Sequence, residues 1–394
     1  MKTVDGLIAE SDSSKQKIRL PLRQIPLLLL PRFLTGFRLG DWWRLLRMHR
    51  FSIDLIFWPR AVLATLGAAA TSILARFEER VTPEAVDTEL LDRPVFILGL
   101  PRSGTTHLFE LLSRSPDLCF PTQLDAFNPH TFLLLRRTGL LALLSKLPKV
   151  KRAMDNVRVG WDSPQDDTFA LALLSLRGDK LDRIFPRNAA LQKKPSLEDA
   201  DLLAALRNFT RKLVWLHRKR VLLKSPRHMA HAGAILEAFP HARFVTIFRN
   251  PLHQFASLTR MRKTSNPIWC ALQWPPQNRK EQDLQLCETL LRAYFEARDR
   301  IPASNLIEIT FEDLVADRPR VIARIFERLG LRGPENLENQ ANWNRAARVP
   351  AEVPDEWIPS MLQHYAPLYA NGIYSRLKQI ETAADESRHA RNFP

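Results

Sequence analysis

The most constraining feature of the sequence is an apolar run that leads directly into a loop containing two glycines. Residues 95–98 (VFIL) are apolar without interruption, the loop reads GLPRSGTT, and the apolar periodicity of a helix begins near residue 106. A continuous apolar run of this length, bounded by Pro and Gly, is typical of a buried strand. Strands buried on both faces occur mainly in parallel sheets that are covered by helices. The sequence therefore predicts an α/β fold.

The same alternation continues along the chain. Further apolar runs of strand length occur at residues 221–223, 244–248 and 306–309. Helical periodicity occurs at residues 106–113, 230–238, 254–262 and 320–329. Short apolar strands that alternate with helices predict a central parallel sheet with a helical layer on each face.

The remaining segments indicate how the chain is divided. Residues 1–90 are rich in Arg, Leu and Trp and are predicted as a helical, basic and aromatic extension. Residues 91–380 are predicted as one α/β domain with a helical insertion at about 130–215, and residues 381–394 as a polar tail. The chain of 394 residues is long enough to bury a sizeable core.

Composition narrows the class of partner. The chain carries 58 Lys and Arg against 42 Asp and Glu, a formal net charge of +16. A balance this basic favours an anionic partner, and it leaves open phosphate, sulfate, nucleic acid and a lipid surface. Three cysteines without CxxC spacing exclude a disulfide framework and a cysteine zinc site, so a reducing, cytoplasmic location is expected.

Residues 53–75 form an apolar segment that is long enough to cross a bilayer. Because Pro59 and Arg60 interrupt it, a buried helix or a helix pair is favoured over a membrane span or an interfacial helix. Ten Lys or Arg and two Asp lie between residues 15 and 60, interleaved with Trp and Phe. Such a mixture suits a helix on an anionic membrane surface, and it equally suits a cationic cap on the domain.

The loop after the first strand has the composition of a phosphate-binding loop. Gly99 and Gly104 let the backbone turn and approach an anion closely, and the N–H groups at the start of the next helix attract negative charge. Thr105 and Thr106 add hydroxyl donors. In nucleoside triphosphatases a Lys follows the second Gly, whereas here Thr105 stands at that place and Arg102 supplies a cation within the loop. The loop therefore lacks the Lys that contacts the β- and γ-phosphates in those enzymes.

A second anion site is predicted at the end of the run at 244–248. Arg249 follows this run directly, and Ser257 lies in the helix that comes next. Ligands of open α/β sheets bind at the carboxyl ends of strands, where the planar Arg guanidinium can grip a phosphate through two hydrogen bonds. The run does not end in the acidic residue that holds magnesium in P-loop enzymes. The sequence thus places two anion sites at strand ends.

These motifs resemble the sulfotransferases that use 3′-phosphoadenosine-5′-phosphosulfate, in particular the bacterial and tyrosylprotein-sulfotransferase-like group with a PRSGTT loop. The resemblance covers roughly residues 93–375 and implies a P-loop-type three-layer fold. It implies that the loop holds the 5′-phosphate and the sulfuryl group, and that the R-x-P-x5-S arrangement holds the 3′-phosphate. The implied donor-binding residues are Pro101, Arg102, Ser103, Gly104, Thr105, Thr106, Arg249 and Ser257.

A Lys and an acidic segment extend the site that the resemblance implies. Lys224 follows the run at 221–223, where the family has a Lys beside the bridging oxygen of the donor. It would neutralise charge on the leaving phosphate together with Arg102. Residues 161–167 (WDSPQDD) resemble the acceptor-side segment of bacterial relatives and would shape the acceptor pocket. His228 either lines that pocket or caps the next helix.

The base is predicted from spacing within the family. In relatives a Glu or His near the donor sulfur takes the acceptor proton. The position used by tyrosylprotein-type enzymes is Gln123 here, and an amide cannot act as a base. The spacing of the bacterial group selects Asp125, with His130 and then His107 as the alternatives. The predicted catalytic residues are thus Arg102, Lys224, Asp125 and His130.

The predicted activity is transfer of a sulfuryl group from 3′-phosphoadenosine-5′-phosphosulfate to a hydroxyl or amine, with no metal required. The acceptor is left open between a glycan and a lipid, an anionic membrane surface is a candidate partner, and no nucleic acid is expected. Two alternatives stay open: a kinase on a degenerate phosphate loop, and a non-catalytic protein of the same fold that binds a membrane surface. The expected location is the cytoplasm, including the inner face of a membrane. The sequence does not indicate an oligomeric state.

Overall fold

The computed structural model describes residues 7–11, 14–20, 29–82, 86–151, 158–178, 180–188, 200–264, 271–274, 280–334 and 358–372. Its helices are α1 (Leu39–Met48), α2 (Trp58–Val81), α3 (Thr88–Leu91), α4 (Thr105–Leu112), α5 (Gln123–Phe127), α6 (Phe132–Arg137), α7 (Leu140–Ser145), α8 (Thr168–Ser175), α9 (Ala200–His217), α10 (Ala232–Ala238), α11 (Pro251–Thr264), α12 (Lys280–Arg298), α13 (Phe311–Ala316), α14 (Arg318–Leu329), α15 (Ile358–His364) and α16 (Ala366–Ala370). Its strands are β1 (Leu7–Ser11), β2 (Ser14–Leu20), β3 (Val95–Leu98), β4 (Leu118–Cys119), β5 (Val150–Lys151), β6 (Arg158–Val159), β7 (Arg220–Lys224), β8 (Arg243–Phe248) and β9 (Leu306–Thr310). The tail predicted at 381–394 lies outside the described residues.

The central sheet has five parallel strands in the order β4-β7-β3-β8-β9. β3 lies in the middle, with Ile97 opposite Lys224 of β7 and Leu98 opposite Thr246 of β8. The chain builds β4 and β7 on one side of β3 and then β8 and β9 on the other, so the strand order reverses at β3. The carboxyl ends of strands at such a reversal form the ligand crevice of open α/β sheets. The predicted α/β fold is confirmed, and the two-residue edge strand β4 is added to the four predicted strands.

The sheet is buried on both faces because successive side chains of a strand point to opposite sides. On one face, Phe96 and Phe244 belong to a core that includes residues of α9, α10 and α12. On the other face, Ile97 and Val245 belong to a core that includes residues of α4 and α14. Helix, sheet and helix therefore form three layers, and the insertion contributes α9 to one of them.

A second hydrophobic core joins the N-terminal extension to the insertion. Phe33 and Phe37 of the extension pack in it with Phe127 and Phe169, and the Phe33 and Phe169 rings meet edge to face at 5.1 Å. The approach is close at Gly36, where an added Cβ would lie 2.1 Å from the Phe127 carbonyl oxygen. This part of the extension therefore packs on the insertion, whereas Leu90, at the end of the extension, packs on the core of the sheet. We call this cluster the second core.

The structure of the extension differs from the prediction in two places. β1 and β2 form an antiparallel ribbon where helix and loop were predicted; the alternation of residues 17–20 (KIRL) is a strand pattern that the prediction overlooked. Pro59 does not interrupt a helix but lies in the first turn of α2, where its missing N–H has no cost. Among the described residues, one helix at Leu55–Val81 is long and apolar enough to cross a membrane, and 33% of its most apolar window is buried.

Candidate active site

The loop after β3 turns sharply into α4. Gly104 has a φ of +104°, and an added Cβ would lie 2.5 Å from Cδ2 of Phe311. Both the backbone conformation and the close ring therefore require glycine at this position. Arg102 also has a positive φ, of 74°. A non-glycine residue in this region is strained by about 1 kcal/mol or more, and such strain is concentrated at functional sites.

Buried hydroxyl groups lie at the turn of this loop. Ser103 and Thr105 are 1% and 4% exposed, and Ser103 Oγ has no hydrogen-bond partner among the described residues. A buried hydroxyl without a partner is costly, which indicates that a ligand atom completes the site. The first N–H groups of α4 have no partner within the helix and carry partial positive charge. The loop therefore suits an oxyanion such as a phosphate or sulfuryl group.

The two predicted anion sites are in direct contact. Arg102 Nε donates to Ser257 Oγ at 3.0 Å, and Arg249 Nη1 donates to the Arg102 carbonyl oxygen at 3.2 Å. The Arg249 guanidinium also lies over the Phe311 ring, 4.5 Å from its centroid. Two guanidinium groups and a serine hydroxyl thus meet where β3 and β8 end. The structure brings these predicted donor-binding residues together.

The helix after β8, α11, holds this loop in place. Gln254 is fully buried; its Nε2 donates to the Pro101 carbonyl oxygen, and its Oε1 accepts from the Tyr365 hydroxyl. Gln254 and Ser257 are three residues apart and therefore lie on the same face of α11. One face of this helix thus carries both a group that supports the loop and a candidate ligand for the donor.

An acidic pair from the insertion meets the end of β7. Lys224 Nζ donates to the Asp166 carboxylate, and Asp167 accepts a hydrogen bond from His228 Nε2 at 2.6 Å. Lys224, His228 and Asp167 are buried, at 6%, 3% and 0% exposed. Two consecutive acids therefore bind one basic residue at the end of β7 and one just after it, which fixes the insertion to the carboxyl edge of the sheet. His228 does not cap α10, whose N-cap residue is His231; its place in the acceptor pocket stays a prediction.

Asp166 lies at the border between the sheet edge and the second core. Its side chain is 17% exposed, and Lys180 Nζ lies 3.9 Å from its second oxygen. The same ammonium group lies 4.5 Å from the Phe169 ring centroid. The Asp166 carboxylate is therefore flanked by two cations, one of which contacts the Phe169 ring. Among the described residues, no three His, Cys, Asp and Glu side chains converge as candidate metal ligands.

Comparison with known proteins identifies the family. The model of the sulfotransferase family matches residues 94–335, more than half of the chain. The protein belongs to the sulfotransferase family. It is 29% identical over 305 residues to the omega-hydroxy-beta-dihydromenaquinone-9 sulfotransferase Stf3 of Mycobacterium bovis and to the protein of the same name from Mycobacterium tuberculosis. Each match covers 75% of this chain and 78% of the relative.

Solved sulfotransferases share the fold. STF1 from Mycobacterium tuberculosis superimposes with a TM-score of 0.56 at 17% identity, covering 88% of this chain and 98% of that one. STF9 from Mycobacterium avium superimposes with a TM-score of 0.54 at 17% identity, covering 79% and 85%. The predicted sulfotransferase fold and enzyme class are confirmed. The kinase and the non-catalytic protein, which the sequence left open, are set aside.

In this sulfotransferase the Asp125 side chain takes part in the N-terminal capping of α5. It is 0% exposed and closes a capping box on α5, accepting hydrogen bonds from the Thr122 N–H and Oγ1, each at 2.8 Å. Arg136 completes its partners through Nε at 2.7 Å and Nη2 at 2.6 Å. Both carboxylate oxygens are therefore engaged in buried structural contacts. The role of Asp125 as the base stays a prediction, and this arrangement does not favour it.

Of the two histidines predicted as alternative bases in the sulfotransferase, His130 is buried and His107 is half-buried. His130 is 7% exposed, and its Nε2 lies 3.3 Å from the Leu173 carbonyl oxygen. Burial, reinforced by the nearby Arg38, lowers the pKa of His130 to about 3. Burial also lowers the pKa of His107, on α4, to about 4, with further lowering by Arg318 and Arg114. Histidines with pKa values this low are weak proton acceptors.

Two side chains of the site were missing from the predicted residues. Asp166 lies in the segment predicted to shape the acceptor pocket, but its contact with Lys224 spans 58 residues of chain, and no local pattern distinguishes it from Asp162 or Asp167. Gln254 was predictable, because a polar residue three positions before Ser257 shares its helix face. The sequence thus contained a signal for Gln254 and none for Asp166.

Proposed function

We propose that this sulfotransferase moves a sulfuryl group from 3′-phosphoadenosine-5′-phosphosulfate to the terminal hydroxyl of a lipid alcohol. The observation that carries the proposal is the meeting of two elements at one edge of the sheet. Arg102, Arg249 and Ser257 gather where β3 and β8 end. The Lys224–Asp166 pair lies where the neighbouring strand β7 ends.

The donor is assigned from the two linked cationic groups. The N–H groups and hydroxyls of residues 103–106 suit the 5′-phosphate and the sulfuryl oxygens. Arg249 and Ser257 suit the 3′-phosphate, because a guanidinium and a hydroxyl supply donors to a doubly charged anion. Arg102 belongs to the loop and joins it to the 3′-phosphate group, because its side chain donates to Ser257 and its carbonyl oxygen accepts from Arg249. A doubly phosphorylated adenosine would match this pair of sites.

The reaction follows from the placement of Lys224 and Asp166. The acceptor oxygen attacks sulfur, a new O–S bond forms, and the bond from sulfur to the bridging oxygen breaks, so that adenosine 3′,5′-bisphosphate leaves. Lys224 would stabilise negative charge on the bridging oxygen. The acceptor proton would pass to the Asp166 carboxylate, which contacts Lys224 and is partly exposed. We assign the base to Asp166 in place of Asp125, whose oxygens are buried and engaged.

The acceptor is assigned to the lipid class from the second core, which Lys180 links to Asp166 through Phe169. Phe169 and Trp274 belong to the second core, and the partly buried Trp161 packs against it. These apolar groups suit an alkyl or isoprenoid chain that ends in a hydroxyl. The relatives at 29% identity are named for an omega-hydroxy-beta-dihydromenaquinone-9 acceptor, which supports an ω-hydroxylated quinone lipid here.

The donor assignment is tested by calorimetric titration with adenosine 3′,5′-bisphosphate and with adenosine 5′-monophosphate. Arg249→Gln is expected to weaken bisphosphate binding about tenfold to a hundredfold, because a charge-assisted hydrogen bond contributes roughly 1.5–3 kcal/mol. Binding of the monophosphate should be unchanged. The matched control is Arg300→Gln, at an exposed arginine paired with Glu237. Equal losses for both nucleotides would remove Arg249 from the 3′-phosphate site.

The base is tested by steady-state kinetics on Asp166→Asn. The expected result is a fall in kcat of about 10²–10⁴-fold, typical of losing a general base, with bisphosphate affinity retained. Asp162→Asn is the matched control, because Asp162 lies in the same segment and pairs with the exposed Lys149 at 3.1 Å. If Asp166→Asn keeps its kcat while a folded Asp125→Asn loses it, the base is Asp125.

The acceptor is tested with sulfur-labelled donor and paired lipids. An ω-hydroxylated menaquinone should become labelled, and the same quinone without the hydroxyl should not. A soluble disaccharide with free hydroxyls serves as the competing class. Labelling of the disaccharide alone would overturn the lipid assignment while leaving the donor assignment intact.

A further inference from the structure

The long helix of the extension, α2, carries its large apolar residues on its outer side. Its buried residues are small or charged, namely Arg60, Ala61, Ala64, Ala68, Thr71, Ala75 and Glu78. By contrast, Val62, Leu66, Ile73 and Phe77 are 52%, 63%, 58% and 50% exposed. Their spacings of four and seven place them on one face. We call these four residues the outer stripe; in an ordinary surface helix this face would be polar.

The outer stripe is long and without charge. No charged residue occurs between residues 61 and 75, which corresponds to about 22 Å of helix at 1.5 Å per residue. Leu55, just before α2, continues the apolar surface and is 86% exposed. A contiguous apolar surface of this kind marks an interaction site.

Buried polar contacts anchor α2 to the protein along its whole length. Near its start, Arg60 Nη1 donates to the Ala271 carbonyl oxygen at 2.7 Å. Near its end, Lys212 Nζ donates to the Glu78 carboxylate at 2.6 Å, and both side chains are buried. Separating α2 from the protein would leave buried charges without partners, which is strongly unfavourable. The helix therefore stays flat against the protein and cannot leave it to span a bilayer.

The neighbouring helix α1 adds aromatic and basic groups beside the outer stripe. Trp42 Nε1 donates to Thr65 Oγ1 at 2.8 Å, and Thr65 precedes Leu66 of the outer stripe. On the open side of α1, Trp43 is 45% exposed, and the Arg47 guanidinium lies over its ring at 5.6 Å. Trp beside Arg is the composition found where protein surfaces meet lipid headgroups.

The exposed charges around this face are mainly positive. Residues 39–81 are described throughout, and their exposed acidic residue, Glu79, is ion-paired with Arg38 at 2.5 Å. The exposed basic residues in the same segment are Arg44, Arg47, Arg50, Arg76 and Arg80. A second copy docked by two-fold symmetry would place these arginines against each other. An anionic lipid surface would neutralise them.

We infer that the outer stripe and its arginine border form a docking surface for an anionic lipid bilayer. The protein would lie with α2 parallel to the membrane plane, its apolar residues at the boundary of headgroups and acyl chains, and its arginines on lipid phosphates. This inference goes beyond sulfuryl transfer and does not rest on the proposed acceptor. It assigns α2 to the membrane surface and not to the membrane interior.

The experiment is co-sedimentation of the full-length protein with vesicles, without donor or acceptor. Vesicles of phosphatidylcholine alone are compared with vesicles that also contain phosphatidylglycerol, at low and at high salt. The protein should bind the anionic vesicles, and binding should weaken as salt is raised. The variant Leu66→Glu/Ile73→Glu should weaken this binding at least tenfold. Val315→Glu, at an apolar residue of α13 that is 43% exposed, is the matched control and should bind as the unmodified protein does.

Three outcomes would overturn the inference. The first is failure to bind either vesicle. The second is a dimer in light scattering that Leu66→Glu/Ile73→Glu dissociates, which would make the outer stripe an interface between copies. The third is retention in membranes after an alkaline carbonate wash, which would indicate a span. Binding of adenosine 3′,5′-bisphosphate verifies that each variant is folded, and because vesicle binding is measured separately, its failure would leave the proposed sulfuryl transfer untouched.

Discussion

The carboxyl edge of the sheet and the second core are built in different ways. At the sheet edge, the loop after β3 and the residues after β7 and β8 are placed by strand ends that lie side by side. The second core joins segments far apart in the chain, such as Gly36 against Phe127 and Asp54, which accepts from Arg187 at 2.5 Å and from the Trp274 N–H at 2.8 Å. The proposed donor side is therefore encoded locally, whereas the proposed acceptor side depends on tertiary packing.

This difference explains why the residues proposed for donor binding and those proposed for acceptor binding come from different parts of the chain. A phosphate-binding loop needs a strand, glycines at the turn and a helix start, all within a dozen residues. The second core, which we propose as the acceptor wall, needs the extension, the insertion and residues 271–274 to meet. The buried Glu78–Lys212 pair anchors the extension to α9 of the insertion. The two regions should therefore respond differently to substitution, with stability affected on one side and catalysis on the other.

The largest effect is expected at the Glu78–Lys212 pair that anchors α2. Glu78→Leu would leave the Lys212 ammonium buried without its carboxylate and remove the acceptor of the Leu134 N–H, now at 3.0 Å. Removing one partner of a buried ion pair costs about 3–5 kcal/mol. Urea unfolding should show this loss in the free energy of unfolding. The double variant Glu78→Leu/Lys212→Met should recover most of it, and a single variant as stable as the unmodified protein would contradict the assignment.

On the donor side, the expected effect is on rate and not on stability. Lys224→Met would remove the cation next to the leaving oxygen, and kcat should fall about 10²–10³-fold, as when one preorganised donor is removed. Binding of adenosine 3′,5′-bisphosphate should change much less, because the loop and Arg249 remain. The matched control is Lys149→Met, at an exposed lysine. A loss of binding as large as the loss of kcat would place Lys224 in ground-state recognition.

The sequence predicted the sheet region well because its signals are local. All four predicted strands are present, and β3 has the predicted ends. Arg102 of the loop contacts Arg249 and Ser257, which the resemblance assigned to the same donor. Their chemical roles stay predictions, and the experiments above test them.

The proposed acceptor side could not be predicted because the contacts that define it are long-range. Asp125 was selected by spacing, yet the capping box and Arg136 occupy it. Asp166 was not selected, yet it contacts Lys224 across the insertion. The outward apolar face of α2 was also hidden, because hydropathy alone does not reveal which face a helix buries.

The buried histidine His130 offers a probe of the second region through pH. Its pKa of about 3 lies below the ordinary value of 6.5, so the unfolded chain binds a proton that the folded protein excludes. The contribution of His130 to the free energy of unfolding is therefore fully present above pH 6.5. It falls by about 1.4 kcal/mol per pH unit as the pH drops towards 3. In His130→Gln, urea titration between pH 4 and 6 should show a weaker dependence of the unfolding free energy on pH. The slope should correspond to one proton fewer taken up on unfolding. An unchanged slope would indicate that His130 is accessible to protons in the folded protein.

The smallest effect on nucleotide binding is expected for a substitution of Ser257. It tests whether the Ser257 hydroxyl binds the 3′-phosphate or only orients Arg102. Ser257 Oγ accepts from Arg102 Nε, and its own O–H is left to donate to a 3′-phosphate. In Ser257→Ala, both contacts are lost. Bisphosphate binding should weaken about tenfold, since a hydrogen bond to a charged group contributes roughly 1.5 kcal/mol. Monophosphate binding should weaken only about threefold, through the altered position of Arg102. Ser145→Ala, on the exposed helix α7, is the control. Equal losses for the two nucleotides would show that Ser257 only orients Arg102, and the 3′-phosphate would then depend on Arg249 alone.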